Sequence, residues 1–330
     1  MAMRTRSNGF LCLATCVALG APTAFAQKAE PASVYPIRPI RVVVPFTPGG
    51  QPDIFSRMVA EKLSDALGQQ TVVDNRPGAG GMVGSRIVVE ANADGHTLLS
   101  ISAAHVIAPA VRKVPYDTLR DFSGITMLYN AAYLLVVPPA LGVKTVQELM
   151  ALAKSQPGKL NFASAGAGSG THFAGELFKH AAKIDVVHVP FRGIPEAMND
   201  TMTNRVQFFM APLASSVALV KDGRLRALGV SSTTRVGVHP DIPTIAESGL
   251  PGFRWDSWGA LFAPAKTPRA IVNRLNREIT GILGQPDIQK RMRALGAEPA
   301  PSTPAELDKL VATEHATVMK LAKIAGIVPQ

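Results

Sequence analysis

Five loops of small or turn-forming residues, each set directly after a short apolar run, constrain this chain more than any other feature. They are Thr47–Gln51, Asn75–Gly81, Ser102–His105, Ser164–Thr171 and Pro190–Gly193. The preceding runs, such as Arg41–Phe46, Thr71–Asp74 and Thr97–Ser102, have the β-branched content of buried strands. Helical periodicity follows most of the loops. Phe55, Val59, Leu63 and Leu67 share one face, as do Ile271, Leu275, Ile279 and Leu283 further on. This alternation calls for an α/β architecture of open, mainly parallel sheets covered by helices. Ligands on such sheets bind beyond the carboxyl ends of the strands, where all five loops fall.

The fourth loop is the most informative. Leu160–His172 passes from an apolar run through Gly166, Gly168 and Gly170 into a helical pattern at Phe173–Lys183. Glycines there permit positive φ and close approach of a ligand. Ser164, Ser169 and Thr171 place hydroxyls beside the free N–H groups of a helix start, a combination that suits an anion. The loop has no Gly-Lys-Ser/Thr ending for a phosphate loop, and Thr171 stands where a dinucleotide fingerprint needs its third glycine. A tight strand-to-helix turn without a ligand fits the same residues. On the anion reading, substitution of Gly168 disturbs binding and leaves folding nearly unchanged, because the loop lines a cleft.

Composition limits the chemistry. Residues 1–26 read as a secretory signal, with Arg4 and Arg6 before the apolar stretch Phe10–Leu19 and a small-x-small site at Ala24-Phe25-Ala26. Both cysteines, Cys12 and Cys16, lie inside it, so the remainder has no thiol chemistry and no disulfide. Two basic and no acidic residues lie there too, so the formal charge of +10 becomes +8 on cleavage. That charge suits anionic ligands, but no Lys/Arg run supports nucleic-acid binding. His105, His172 and His188 follow no metal spacing, and buried or capping roles are expected for them. No cofactor or metal is expected. An exported hydrolase lacks its Gly-x-Ser-x-Gly elbow here, although Ser, His and Asp are all present.

Two close strand-like runs, Gly124–Leu128 and Tyr133–Val137, followed by Pro138-Pro139, read as a crossing between domains, with a return near Trp258. The expected division is residues 27–128 with 258–330 as one lobe and 129–257 as the other. A polar, open segment is expected after His105, with Val114-Pro115-Tyr116-Asp117 and Leu119-Arg120-Asp121-Phe122 in it. The stretch Ser231–Ser257 reads as irregular, with one short helix near Ile245. Thr145–Glu148 and Thr303–Glu306 are capping boxes that open helices.

With these loops in place the chain resembles the Bug family, the extracytoplasmic solute receptors of tripartite tricarboxylate transporters. The matching segments include Pro45-Phe46-x-Pro48-Gly49-Gly50-x-x-Asp53-x-x-x-Arg57 and Asn75-Arg76-Pro77-Gly78-Ala79-Gly80-Gly81-x-x-Gly84. Val114-Pro115-Tyr116-Asp117, Ser164-Ala165-Gly166-x-Gly168-Ser169-x-x-His172 and Pro190-Phe191-Arg192-Gly193 continue the likeness. Pro243-Thr244-x-x-Glu247-x-Gly249 and Trp258-Gly259-x-Leu261-x-Ala263-Pro264 carry it to the last third. The resemblance implies a periplasmic, two-lobed binding protein of type II-like fold, its two sheets joined by hinge strands. It would close on a small carboxylate and deliver it to the membrane subunits of the transporter, acting as a monomer. The carboxylate would be held by backbone N–H groups and hydroxyls of Ser164, Ala165, Gly166, Gly168, Ser169 and Thr171, and of Phe191, Arg192 and Gly193. Pro48, Gly49, Gly50 and Asp53 would complete the pocket, with Gly80 and Ser102 from the neighbouring loops. Arg192 departs from the Lys common in the family. It can fork onto a carboxylate or face solvent, and both readings stand. The same fold also serves ligand-sensing modules of sensor kinases, a role the residues do not separate from transport.

Overall fold

The computed structural model describes residues 1–3 and 35–324, so all but the first three residues of the leader, and its cleavage site, lie outside the described residues. The chain runs β1 (Ile40–Val44), α1 (Gln51–Leu67), β2 (Thr71–Asn75), α2 (Met82–Val89), β3 (Thr97–Ser102), α3 (Ala104–Val111) and β4 (Phe122–Val137). It continues through α4 (Val146–Ser155), β5 (Asn161–Ser164), α5 (Gly170–Ala182), β6 (Val187–Pro190), α6 (Ile194–Met202), β7 (Phe208–Pro212), α7 (Leu213–Lys221) and β8 (Arg226–Val230). It closes with β9 (Asp256–Pro264), α8 (Arg269–Leu283), α9 (Pro286–Ala294), β10 (Ala297–Pro299) and α10 (Pro304–Ile324).

The strands follow the order β2-β1-β3-β9-β4-β7-β5-β6, with β8 and β10 also pairing with β4. The outer pairs β1–β2, β1–β3, β5–β6 and β5–β7 are parallel, as strand–helix alternation requires. Every antiparallel pair involves β4 or β9, the strands on which the chain passes between its two halves. The two runs expected as separate strands are one. Residues of β4 up to Ala132 pair with β9, and from Tyr133 onward with β7 and β8. The intervening Tyr129–Ala132 stays extended because it keeps ladder partners in β9 and β10, although Asn130 is exposed.

The predicted apolar faces are the buried ones. Phe55, Val59 and Leu63 of α1 and Ile271, Leu275 and Ile279 of α8 join one cluster against the first half of the sheet. Leu134, Val136, Ala163, Phe209 and Ala211 centre another in the second half. Both capping boxes form: Thr145 Oγ1 accepts from the Glu148 N–H at 3.1 Å, and Thr303 and Glu306 cap one another at 3.2 and 2.8 Å.

Two expectations fail. The segment after His105 is open only from residue 112, where largely exposed turns run to residue 121; before that it forms the buried helix α3, apolar on all sides. Its apolar run lacks a polar face, and Pro109 sits inside it. Proline removes the N–H that would bond to the His105 carbonyl, and the Thr118 hydroxyl donates to that carbonyl instead, at 3.2 Å. The short helix near Ile245 is absent too; Thr244 forms an isolated bridge to Val230, and turns fill the segment. No helix among the described residues is long and apolar enough to cross a membrane.

Candidate functional site

Four helices begin where the two halves of the chain meet. Their first positions follow Gly50 (α1), Gly81 (α2), Ser169 (α5) and Gly193 (α6). Three of these caps are glycines with no side-chain cap, so the first-turn N–H groups keep no partner from a capping residue. The loops approach one another closely. A methyl group on Gly50 would touch Ile194 at 3.6 Å, and one on Gly49 would touch Pro195 at 3.7 Å. At Gly193 it would overlap the Thr47 side chain. Gly80 holds φ at 66°, and any side chain there would strike the Ala167 carbonyl oxygen. Gly166 lies against the Phe191 carbonyl and the Gly80 backbone. Pro48–Gly50, Gly80, Ala165–Gly168 and Phe191–Gly193 therefore share one region, bridged by a hydrogen bond from Ser215 Oγ to the Gly49 carbonyl at 2.9 Å. Ser102 is engaged locally with the Ala104 N–H at 3.4 Å, and no hydrogen bond among the described residues ties it to the other loops.

The hydroxyls of the fourth loop are turned inward. Ser169 Oγ accepts from the His172 N–H at 3.2 Å and meets Thr171 Oγ1 at 2.9 Å. Thr171 Oγ1 accepts from Ala165 N–H, and Ser164 Oγ accepts from Gly166 N–H at 3.1 Å. Ser164 Oγ also lies 2.6 Å from His188 Nε2, and the Gly168 N–H donates to His172 Nδ1 at 3.3 Å. The loop thus spends much of its own polarity on its shape. Gly168, at φ 87°, packs on Val111 and Ala108 of α3. A side chain there strains the fold as well as the site, contrary to the expectation from sequence. Ser169→Ala removes an N-cap and should lower stability by about 1 kcal/mol, read as a fall in the urea midpoint.

Burial holds both histidines of this network neutral. His188 is pulled down to about 3 and His172 to about 4, in the second case with help from the charge of Arg112. Their rings lie 4.2 Å apart, with Phe162 stacked on His188. Ser164 and His188 have the spacing of a nucleophile and base, but a base with so low a pKa is poorly matched to neutral pH. The pair reads as a support for the loop.

The charged residues divide differently from expectation. Asp53 is buried, and both its oxygens are taken: Gly49 N–H donates at 3.0 Å and Arg57 Nε at 3.0 Å. Arg57 also donates to Asn75 at 2.8 Å, and Asn75 donates to the Phe46 carbonyl. Asp53 braces the first loop and leaves the anion to other groups. Arg192 is exposed and makes no ion pair among the described residues. Sequence reading missed four groups that tertiary packing brings to the region. Tyr133 of β4 places its hydroxyl against Gly170 at the start of α5. Ser215 reaches Gly49. Arg112, at the end of α3, lies on Gly168. Gln51, the first residue of α1, is 2 % exposed, and its Nε2 has no hydrogen-bond partner among the described residues.

The family described as "Tripartite tricarboxylate transporter family receptor" matches residues 55–327. Relatives include the UPF0065 protein of the tcbD-tcbE intergenic region of Pseudomonas sp. strain P51, 39% identical over 91% of this chain and 90% of its own length. Protein BugT of Bordetella pertussis is 34% identical, over 86% and 88%. Among solved structures, Rhodopseudomonas palustris Rpa4515 with adipate has a TM-score of 0.87 at 33% identity, covering 90% of this chain and 100% of that one. The periplasmic binding protein BugD gives 0.86 at 31%, over 90% and 100%. MatC of Rhodopseudomonas palustris with bound malate gives 0.83 at 32%, over 87% and 99%. The shared fold is that of two-lobed periplasmic solute-binding proteins.

Proposed function

Because the chain belongs to the tripartite tricarboxylate transporter receptor family, whose members are periplasmic binding proteins, we propose that it captures a small carboxylate between its two lobes. It then presents the ligand to the membrane subunits of a tripartite transporter. The observation that carries this reading is the meeting of four helix N-termini from both halves, three of them without side-chain caps. Such ends present N–H donors and positive dipole ends to one region, which favours a carboxylate. The buried amide of Gln51, a donor without a partner among the described residues, adds to the case, since such a group is costly unless something accepts from it. Carboxylates bound to two related structures agree in chemistry. The leader at residues 1–26 directs export and is removed.

The lobes comprise residues 27–128 with 258–330, and residues 129–257. The change of strand partners within β4 between Ala132 and Tyr133 supports a hinge in this strand, slightly beyond that boundary, since Tyr129–Ala132 still pair with β9. The ligand contacts are drawn from the first-loop glycines, Gly80, the Ser164–Thr171 backbone and the Phe191–Gly193 backbone.

Titration calorimetry of the exported chain against adipate, malate and matched monocarboxylates tests the reading. One acid should bind with one site per chain. Gln51→Leu should then weaken it by about 1.5–3 kcal/mol, the range for a hydrogen bond to a charged group. Silence across the panel would remove the carboxylate reading.

A further inference from the structure

We propose that a groove along the strands joining the two halves is a second ligand site, separate from the cleft, and that it takes a small organic amine with an apolar or aromatic body. The groove has a volume of about 1100 Å³, ample for a small molecule. Its walls are residues 130–132 of β4, residues 254–258 around the start of β9, residues 234–238 of the second half and one face of α10. Among the described residues that line it, none belongs to the five small-residue loops.

The wall from α10 sets the sign of the ligand. Leu310, Glu314, Thr317 and Leu321 recur three or four residues apart, so the helix turns one stripe to the groove. An acid is out of place in a stripe that begins and ends in leucine. Glu314 is half-buried, and no hydrogen bond or ion pair joins it to another described residue. Burial pushes its carboxyl above the usual range; the charge of Arg254 opposes this and that of Asp256 adds to it. The arginines of the groove are already matched. Arg254 pairs with Asp256 at 3.1 Å, Arg293 with Glu298 at 3.0 Å and Arg235 with Glu247 at 3.1 Å. Glu314 is the acid left over, and a partly desolvated carboxylate gains most from a cation that comes to it. The rest of the wall sets the body. Val236 and Val238 line it, with Trp255 and Trp258 open over 7 and 5 % of their surface. Their indole N–H groups are closed off, so the rings offer carbon to the groove. Such surface suits an apolar or aromatic body with an ammonium beside it.

The chain has two tryptophans and both line the groove, so its intrinsic emission reports on the site. The test titrates the exported chain with phenethylamine and with its neutral isostere 2-phenylethanol, followed by emission and by calorimetry. The amine should bind at least roughly tenfold more tightly, the gain expected of a charge-assisted hydrogen bond. Glu314→Gln should bring the amine to the level of the alcohol and leave the alcohol unchanged. Gly237→Phe tests the place. A side chain started there meets nothing within 4 Å, so the fold should accept it while the filled groove weakens both compounds. Glu90→Gln, which removes an exposed acid outside the groove, should keep the ratio. An unchanged thermal transition shows that each variant folds. Equal binding of the two compounds overturns the proposal, as does an amine preference that survives Glu314→Gln. Undiminished binding in Gly237→Phe, or no binding of either compound to the wild type, overturns it too. The carboxylate reading of the cleft stands whichever of these results is obtained.

Discussion

Gly193→Ala is expected to cut ligand affinity by roughly one to two orders of magnitude while leaving the unliganded fold intact. The backbone at Gly193 is extended, with φ −173°, a conformation any residue adopts, so alanine strains nothing within its own half. The obstacle is across the cleft. The added methyl would occupy the position of Thr47 Oγ1, with Thr47 Cβ only 2.8 Å away. Overpacking of this kind costs about 1–3 kcal/mol where neighbours can shift, and here the whole cost falls on the form in which the halves meet. A ligand that binds only that form loses affinity by the same amount. Thr47→Gly in the same chain removes the opposing atoms and should restore most of the binding. Solution scattering gives the second readout. The wild type should contract when ligand is added, Gly193→Ala should not, and the double variant should contract again. Normal affinity and normal contraction in Gly193→Ala would mean that the liganded form does not bring these loops together as described.

That a single methyl carries so much explains which parts of the site were legible in the sequence. The five loops announce themselves because glycine, serine and proline after a β-branched run have few other uses. The faces of α1 and α8 and the two capping boxes follow from spacing alone. What could not be read is set by approach in space. The fifth loop puts Gly193 among the expected ligand contacts, but its close approach to Thr47 exists only in space. Tyr133, Ser215 and Arg112 sit in segments whose sequence gives no sign of a cleft, and Gln51 closes the first loop without anything in the sequence to mark its amide as buried. Arg192 attracted attention through its motif, yet the cation lying on the fourth loop is Arg112, reached through a helix hidden by its own proline. Asp53 shows the converse. Its motif marks it as a site residue, and the structure gives it the role of shaping the loop that carries Gly49. The unbroken β4 had the same difficulty, since Tyr129–Ala132 is held by partners that come from β9 and β10.

Stability should fall steeply as pH drops from about 6.5 towards 4, and His105→Phe should flatten that fall. His105 is fully buried in α3, with its ring 4.4 Å from Phe262 and 4.8 Å from Phe122. Burial pulls its pKa down from 6.5 to about 3; a weak contact with the Thr118 backbone opposes this, and the charge of His315 adds to it. His172 at about 4 faces Arg112, Glu176 and His188, and His188 at about 3 faces His172 and Lys179. The sign follows from linkage. Below pH 6.5 the unfolded chain takes up protons that the folded chain refuses, so acid favours unfolding until pH reaches the folded pKa values. The contribution is complete above pH 6.5 and lost on the acid side. Each unit of difference is worth about 1.4 kcal/mol, so His105 alone accounts for roughly 3 kcal/mol between pH 7 and pH 4. His105→Phe removes that titration and the desolvated ring nitrogens, while keeping an aromatic ring among aromatic neighbours. Urea unfolding at pH 7, 5.5 and 4 should show the variant gaining on the wild type by about 2–3 kcal/mol as pH falls. Parallel curves for the two proteins across that range would show that His105 titrates in the fold as it does in water, and would overturn its place as a buried neutral ring.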